Sequence, residues 1–283
     1  MADVFSTINL KGGVGKTTTT VALAETLSSS FRKRVLVIDL DPQTNATTML
    51  IGEERWRELN KSGRTLARLF QDALEPQNKK FNFDDALQKQ VSDVSSARSI
   101  DLLPSSLDLI NIQDQLATTP SGKFYSVNPI ELLWRAVKSR LDEYDVVIVD
   151  CPPNLGIITL NGLRISQGYI IPTIPDILST YGIPQIVTRV GEFSQEIAES
   201  IEPLGIIITK FQAISTVHAN VVRGLQSTKD APVFETIIPQ ANDIAAAAEY
   251  TVSSRTLKQK YGYKGLVNVY HNLAVEVLEK LKV

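Results

Sequence analysis

The chain has 283 residues, with 29 Lys plus Arg against 31 Asp plus Glu, a formal net charge of −2 and 43% hydrophobic residues. That balance excludes a uniformly basic protein, and the apolar content supports a buried core rather than global disorder. No run of about 18 apolar residues marks a transmembrane helix, the start Met-Ala-Asp-Val-Phe-Ser lacks a signal-peptide pattern, and the single Cys151 excludes a disulfide framework, a Cys-rich zinc site and an iron–sulfur cluster held within one chain, so a cytoplasmic protein is expected.

Val4–Asn9, a short apolar run ending at a glycine-rich turn, predicts the first strand. Lys16–Leu27, with Val21, Ala22, Ala24 and Leu27 at helical spacing, predicts the first helix. Val35–Leu40 reads as a second strand, followed by Asp-Pro. The segment Glu53–Ser99 is charged and polar, carrying Arg55, Arg57, Lys61, Arg64, Lys79 and Lys80. Within it Leu66, Leu69, Phe70 and Leu74 predict a short amphipathic helix, and the segment reads as an excursion from the sheet within one domain spanning 1–283. Ile100–Leu103, Asp145–Asp150, Tyr169–Ile174, Gly205–Thr209 and Val233–Ile238 are further strands. Pro129–Leu141 and Val267–Leu281 carry apolar stripes at spacings of three and four. Runs such as Val146-Val147-Ile148-Val149 are apolar on successive positions, the pattern of strands buried on both faces. Strands alternating with helices predict an α/β fold with a doubly wound, mostly parallel twisted sheet flanked by helices.

Lys11-Gly12-Gly13-Val14-Gly15-Lys16-Thr17-Thr18 follows a strand and opens a helix, the context a phosphate loop requires. Glycines let the backbone curl so that successive N–H groups converge on phosphate oxygens, and the helix N-terminus adds unpaired N–H groups. Lys16 would reach the β- and γ-phosphates, and the Thr17 hydroxyl would ligate Mg²⁺. Val35–Asp39 leads into Asp41-Pro42, which puts two carboxylates at the C-terminal end of a strand, where ligands bind in open α/β sheets; the same residues also suit an ordinary Asx turn. Val146–Asp150 is an apolar strand ending in Asp, the arrangement in which a carboxylate holds Mg²⁺ or its water, so Asp150 is a metal candidate. Cys151 reads as a small buried hydrophobe.

Lys-Gly-Gly-x-Gly-Lys-Thr-Thr, with Leu10 where the usual phosphate-loop pattern has glycine, resembles the deviant Walker A motif of the ParA/Soj/MinD family of P-loop ATPases. Asp-Leu-Asp-Pro-Gln-Thr-Asn-Ala-Thr from Asp39, and Asp-Cys-Pro-Pro-Asn-Leu-Gly from Asp150, look like that family's second and third nucleotide motifs. The resemblance implies that ATP is bound by Lys11–Thr18. It implies that Lys11 crosses a dimer interface to the partner's nucleotide, that Asp39 sits near Mg²⁺ through its water shell, and that Asp41 orients the attacking water. It puts the adenine pocket near Pro239 and Gln240, although Gln240-Ala241 stands where the family usually shows Arg-Asn. One cysteine and no Cys-x-x-Cys argue against the nitrogenase iron protein and iron–sulfur carriers, and the terminal helix lacks the tyrosine-rich tail of the related tyrosine kinases.

Two relatives remain, a ParA-type partition ATPase that binds DNA nonspecifically as an ATP dimer and a MinD-type ATPase that binds membrane. The C-terminal helix mixes Glu276 and Glu279 with Lys280 and Lys282 and has neither Trp nor Phe, unlike an interfacial helix, so no membrane contact is expected. Residues 251–283 carry six basic residues against two acidic ones, a local excess suited to phosphate contact. Arg255, Lys258, Lys260 and Lys264, with Arg189 and Arg223, are therefore DNA-contact candidates. The loop begins at residue 11, which leaves no room before it for a helix-turn-helix, so sequence-specific binding is not expected. The resemblance further implies a nucleoid-associated switch with a ParB-like or cargo-adaptor partner that stimulates hydrolysis, and the 53–99 excursion is one place for that adaptor.

Overall fold

The computed structural model describes residues 2–118, 128–262 and 265–282. Six strands, β1 (Asp3–Thr7), β2 (Val35–Asp39), β3 (Ile100–Leu103), β4 (Val146–Asp150), β5 (Gly168–Thr173) and β6 (Glu202–Ile208), form one sheet in the order β3-β2-β4-β1-β5-β6. Every pairing is parallel. The helices are α1 (Lys16–Phe31), α2 (Asn45–Lys61), α3 (Leu66–Leu74), α4 (Phe83–Ala86), α5 (Leu109–Thr118), α6 (Leu132–Val137), α7 (Ile157–Arg164), α8 (Ile177–Thr180), α9 (Gly182–Ile197), α10 (Thr216–Gln226), α11 (Asn242–Ala246), α12 (Leu257–Tyr261) and α13 (Leu266–Leu281).

The strands are apolar on successive positions because both faces are covered. Val4, Leu36, Ile38, Val147, Val149, Tyr169, Ile171, Ile206 and Ile208 point into one core with α3, α5, α6, α7, α9 and α10. The alternate residues Phe5, Val35, Val37, Val146, Ile148, Ile170 and Ile207 point into the other, with α1, α2 and α13. Parallel register then aligns strand ends: Thr7 pairs with Asp150 across β1 and β4, and Asp39 pairs with Asp150 across β2 and β4. The three residues that end these strands thus lie side by side at the C-terminal edge of the sheet.

Two predicted elements differ. Val233–Ile238 is not a regular strand; it follows the β6 edge through isolated parallel bridges at Ile206–Val233 and Phe211–Pro239. Glu276 of α13 accepts hydrogen bonds from the backbone N–H of Glu235 and Thr236, both 2.8 Å, which covers part of the open edge. Pro129–Leu141 breaks into a 3₁₀ turn at Pro129–Glu131 followed by α6. The polar 53–99 excursion is packed down rather than free: Leu66, Phe70, Ala86, Leu87, Val91, Val94 and Ala97 are buried. Most of its charged side chains are exposed, while Asp72, Gln88 and Asp93 are buried.

The C-terminal basic stretch is held by a buried ionic cluster. Lys260 Nζ lies 2.6 Å from Glu25 Oε1 and 2.9 Å from Asp93 Oδ1, and all three side chains are inaccessible to solvent. Tyr261 and Ser92 each donate to the Glu25 carboxylate at 2.6 Å. The Thr251 N–H and the Arg255 guanidinium bond Asp93. Burial disfavours the Asp93 carboxylate, but the charge and hydrogen bond of Lys260, with the Thr251 and Arg255 donors, hold its pKa below the usual carboxylate range. Lys260 and Arg255 therefore do not serve as DNA contacts as the sequence suggested: a buried acid pair on α1 and in the 91–95 segment takes up their charge. Lys264 lies outside the described residues.

Lys260→Met should strand two buried carboxylates and lower stability by about 3–5 kcal/mol. A urea-unfolding midpoint equal to that of the parent would show that the cluster contributes nothing.

Candidate functional site

The phosphate loop leaves β1 at the centre of the sheet and enters α1 at Lys16. Gly13 and Gly15 adopt φ of +74° and +87°, the left-handed region that a Cβ makes costly, so these positions need glycine. Gly15 occupies the N-cap of α1, which leaves the first N–H groups of that helix beside the loop. A cavity of about 220 Å³ opens here, lined by Gly12, Gly13, Gly15, Lys16, Thr17, Thr18, Asp41, Gln43, Asn45, Pro153 and Lys210. Val14 is fully buried under the loop.

Lys16 is buried, and its Nζ rests 3.3 Å from the carbonyl oxygens of Asn9 and Lys11. Burial lowers its pKa, opposed by the charges of Asp150 and Asp41. The Thr17 hydroxyl donates to Asp150 Oδ2 at 2.7 Å, while Thr7 and Thr20 donate to Oδ1 at 3.1 and 3.2 Å. Burial pushes the Asp150 carboxyl up to about 6; the Thr17 hydrogen bond pulls it down, and the Asp41 charge adds to the rise.

Asp39 is also fully buried, and its oxygens are bonded close by in the chain. Its Oδ2 accepts from the Thr47 amide at 2.9 Å and hydroxyl at 2.6 Å, and its Oδ1 accepts from the Asp41 amide at 3.1 Å. Burial and the Asp150 charge raise its pKa well above the usual range, the Thr47 donors opposing. Asp41 lines the cavity directly, with Oδ1 held by the Gln43 amide at 2.9 Å and its carbonyl by Ser105 Oγ at 2.7 Å. Burial raises its pKa, opposed by the Gln43 hydrogen bond and Lys16. Thr17, on the cavity wall, and Asp150 behind it carry the hard oxygen donors that would suit Mg²⁺. No cluster of three or more acidic, His or Cys side chains able to hold a metal alone occurs among the described residues.

Lys11 lies outside the cavity lining. Its Nζ sits 3.3 Å from both carboxylate oxygens of Asp176 and 2.8 Å from Ser179 Oγ, at the start of α8. Asp176 also caps α8 by accepting from the Ser179 amide at 2.7 Å. Partial burial works against its charge, but the Ser179 donors and Lys11 hold its pKa below the ordinary value. Pro239 and Gln240 also lie outside the lining: Pro239 bridges Phe211, and the Gln240 side chain accepts from Gln212. Arg189, Arg223 and Lys258 are exposed, Arg189 beside Glu192 at 2.9 Å and Arg223 on Asn220 at 2.6 Å.

Sequence reasoning did not single out Gln43, Asn45, Thr209, Lys210, Asp176 or Ser179. Thr209 and Lys210 had one legible signal, their position just past β6 at the ligand-binding edge of the sheet. The Asp176 pairing had none, because residues 11 and 176 meet only in the fold.

A family model described as an AAA domain matches residues 2–203. The chain is 28% identical over 275 residues to the chromosome-partitioning ATPase Soj of Thermus thermophilus, covering 97% of this chain and 94% of that one. Cobyrinic acid a,c-diamide synthase from Mycobacterium smegmatis, solved with ADP and magnesium, superposes with a TM-score of 0.75 at 25% identity, over 100% of this chain and 96% of that one. Apo McdA of Cyanothece shares the fold with a TM-score of 0.75 at 24% identity, over 98% and 100% of the two chains. No helix among the described residues is long and apolar enough to cross a membrane.

The raised pKa of Asp150 sets a pH dependence. A carboxyl protonated more readily in the folded than in the unfolded chain adds stability that is present below about pH 4 and lost as pH rises through about 6. Asp150→Asn should therefore stabilise the nucleotide-free protein more at pH 7 than at pH 4.5 and reduce that slope. Parallel melting curves from pH 4.5 to 7 for both proteins would contradict it.

Proposed function

Given that the chain belongs to the AAA-domain family as a ParA/Soj-type ATPase, we propose that it is a partition or positioning ATPase. It binds ATP with Mg²⁺, closes into a nucleotide-sandwich homodimer, binds DNA without sequence preference and releases it on hydrolysis. The observation that carries this reading is the convergence at one sheet edge of the phosphate loop, the Thr17–Asp150 pair and Asp41, with Lys11 turned outward from the cavity.

The residue roles follow from that arrangement. Backbone N–H groups from Gly12 to Thr18 and the Lys16 ammonium hold the phosphates. Thr17, with Asp150 and Asp39 beside it, would hold Mg²⁺, which would supply charge neutralisation at the phosphates. Asp41, on the cavity wall, orients the attacking water. Lys11 serves the partner's nucleotide, which first requires release from Asp176 and Ser179. Beside it α8 presents exposed apolar side chains, Leu178 being 73% exposed with Ile177 and Tyr181 also open, a surface suited to a second copy of the chain.

DNA contact falls to Arg189, Arg223 and Lys258, the exposed ones among the candidates that lie in the described residues. The MinD-like alternative needs a terminal helix free to lie on lipid, whereas α13 buries Leu266, Tyr270, Leu273, Ala274, Val277 and Leu278 in the core. The site of action would be the nucleoid in the cytoplasm. A ParB-like or cargo-bound adaptor would stimulate hydrolysis, so that the dimer segregates or spaces its cargo, whether plasmid, chromosome or organelle.

Asp41→Ala should keep ATP and accumulate dimer, Lys16→Ala should lose ATP binding, and Lys11→Ala should bind ATP yet stay monomeric; size-exclusion chromatography with ATP checks all three, and equal behaviour would overturn the assignments. Asp176→Asn should free Lys11 and shift the ATP-dependent dimer to lower protein concentration, with unchanged or weaker dimerisation as the opposing result. In mobility-shift assays with ATP against liposome sedimentation, DNA retention selects partition; joint charge reversal of Arg189, Arg223 and Lys258 should weaken it and flatten its salt dependence.

A further inference from the structure

Two consecutive residues just beyond β6 take hold of two consecutive carbonyls of the phosphate loop. Thr209 Oγ1 donates to the Val14 carbonyl at 2.7 Å, and Lys210 Nζ donates to the Gly13 carbonyl at 2.7 Å. Thr209 is buried, and its side chain packs 3.6 Å from the point where a Cβ on Gly15 would sit. Lys210 has φ of +50°, a left-handed conformation uncommon for a residue with a side chain. Such backbone persists where surrounding contacts over-determine it, and it concentrates at functional sites.

The geometry has two consequences. A peptide unit is planar and trans, so fixing the Gly13 and Val14 carbonyls toward β6 turns the Val14 and Gly15 N–H groups the opposite way. Converging N–H groups of that kind make an anion-binding nest. Second, Lys210 itself lines the cavity, where it and Lys16 are the two cations among the described residues. An ammonium has three donors, and one of those on Lys210 is engaged by Gly13. A neutral carbonyl is a weaker partner for it than an anionic phosphate oxygen.

We propose that Lys210 is a second nucleotide-binding lysine of this cavity, contacting the phosphates directly, and that Thr209 is a positioning residue that presets the loop. The proposal rests on the cavity being the nucleotide site. Lys210 is exposed and forms no ion pair with a buried acid among the described residues, so its loss leaves no such charge stranded in the core. Thr209, by contrast, acts through Val14.

The test measures equilibrium binding of fluorescent ATP and ADP analogues, at two salt concentrations, by the full-length protein and its variants. Lys210→Ala should weaken both nucleotides by about tenfold, the equivalent of one charge-assisted hydrogen bond, and should reduce the salt dependence. Lys210→Arg should restore most of the affinity, and the melting temperature without nucleotide should be unchanged in both. Thr209→Val should weaken binding without altering its salt dependence, and Thr209→Ser should restore it. Wild-type affinity and salt slope in Lys210→Ala would overturn the phosphate contact. So would equal loss in Ala and Arg variants accompanied by a lower melting temperature, which would reduce Lys210 to loop support. Lys16→Ala run alongside separates the readings: if it too binds normally, the cavity is not the nucleotide site, whereas its loss beside a normal Lys210→Ala refutes only the role of Lys210.

Discussion

Asp39 and Asp150 end adjacent parallel strands in register, both fully buried, and like charges there disfavour one another. The rest of the site is arranged to make that pair tolerable. Asp150 is wrapped by the hydroxyls of Thr7, Thr17 and Thr20, and Asp39 by the amide and hydroxyl of Thr47. Thr17 and Thr20 belong to α1, so the same bonds that satisfy the Asp150 carboxylate pin the helix that carries the phosphate loop. A residual electrostatic cost remains, visible as raised pKa values, and a divalent cation with a nucleotide is the kind of ligand that would relieve it. Site chemistry and loop placement are in this sense one constraint.

The same loop is held from three other directions. Lys16 rests on the carbonyls of Asn9 and Lys11, Thr209 and Lys210 hold those of Val14 and Gly13, and Lys11 is drawn to the mouth of α8 by Asp176. A glycine-rich loop has high conformational freedom, and these contacts remove it before any ligand arrives. Preorganisation of this kind lowers the ordering entropy that binding would otherwise have to overcome. The contacts also give the lysines different roles. Lys16 and Lys210 stay at the cavity, while Lys11 is kept apart from it by an exposed ion pair that costs little to break.

The parallel sheet, its two-faced burial and the order of the three motifs were legible because each depends on local pattern: successive apolar positions in β2 and β4, a glycine run between β1 and α1, and acids at strand ends. Where the pattern was weak, tertiary packing decided. Val233–Ile238 looks like a strand, yet at the sheet edge it makes only isolated bridges and leans on Glu276. Pro129–Leu141 has a helical stripe, but only Leu132–Val137 of it is α-helical, with a 3₁₀ turn before it. Asp41 was readable as an acid at a strand end, whereas Asp176, Ser179 and Lys210 reach the loop from residues more than 160 positions away, and no spacing rule records such a meeting.

Charge shows the same limit most clearly. Counted along the chain, residues 251–283 hold six basic side chains against two acidic ones, which reads as a phosphate-binding stripe. In the fold, Lys260 and Arg255 neutralise Glu25 and Asp93, acids that lie far upstream in the sequence. A buried pair of this type is retained at some desolvation cost, and its effect here is to lock the 249–262 segment against the middle of α1. Among the described residues the basic excess left for solvent is therefore smaller than the sequence implies: Lys258 and Lys282 are exposed here and Lys280 is half-buried, with Arg189 and Arg223 on other helices. For a protein of net charge −2, single scattered cations attract DNA weakly, since nonspecific affinity rises steeply with the number of phosphates neutralised together. A dimer doubles that number on one rigid body, and the second set of contacts then forms at high effective concentration. Under the proposed function, sparse surface charge would leave a monomer a poor DNA binder, the property a nucleotide-controlled dimer needs if association is to decide when DNA is held.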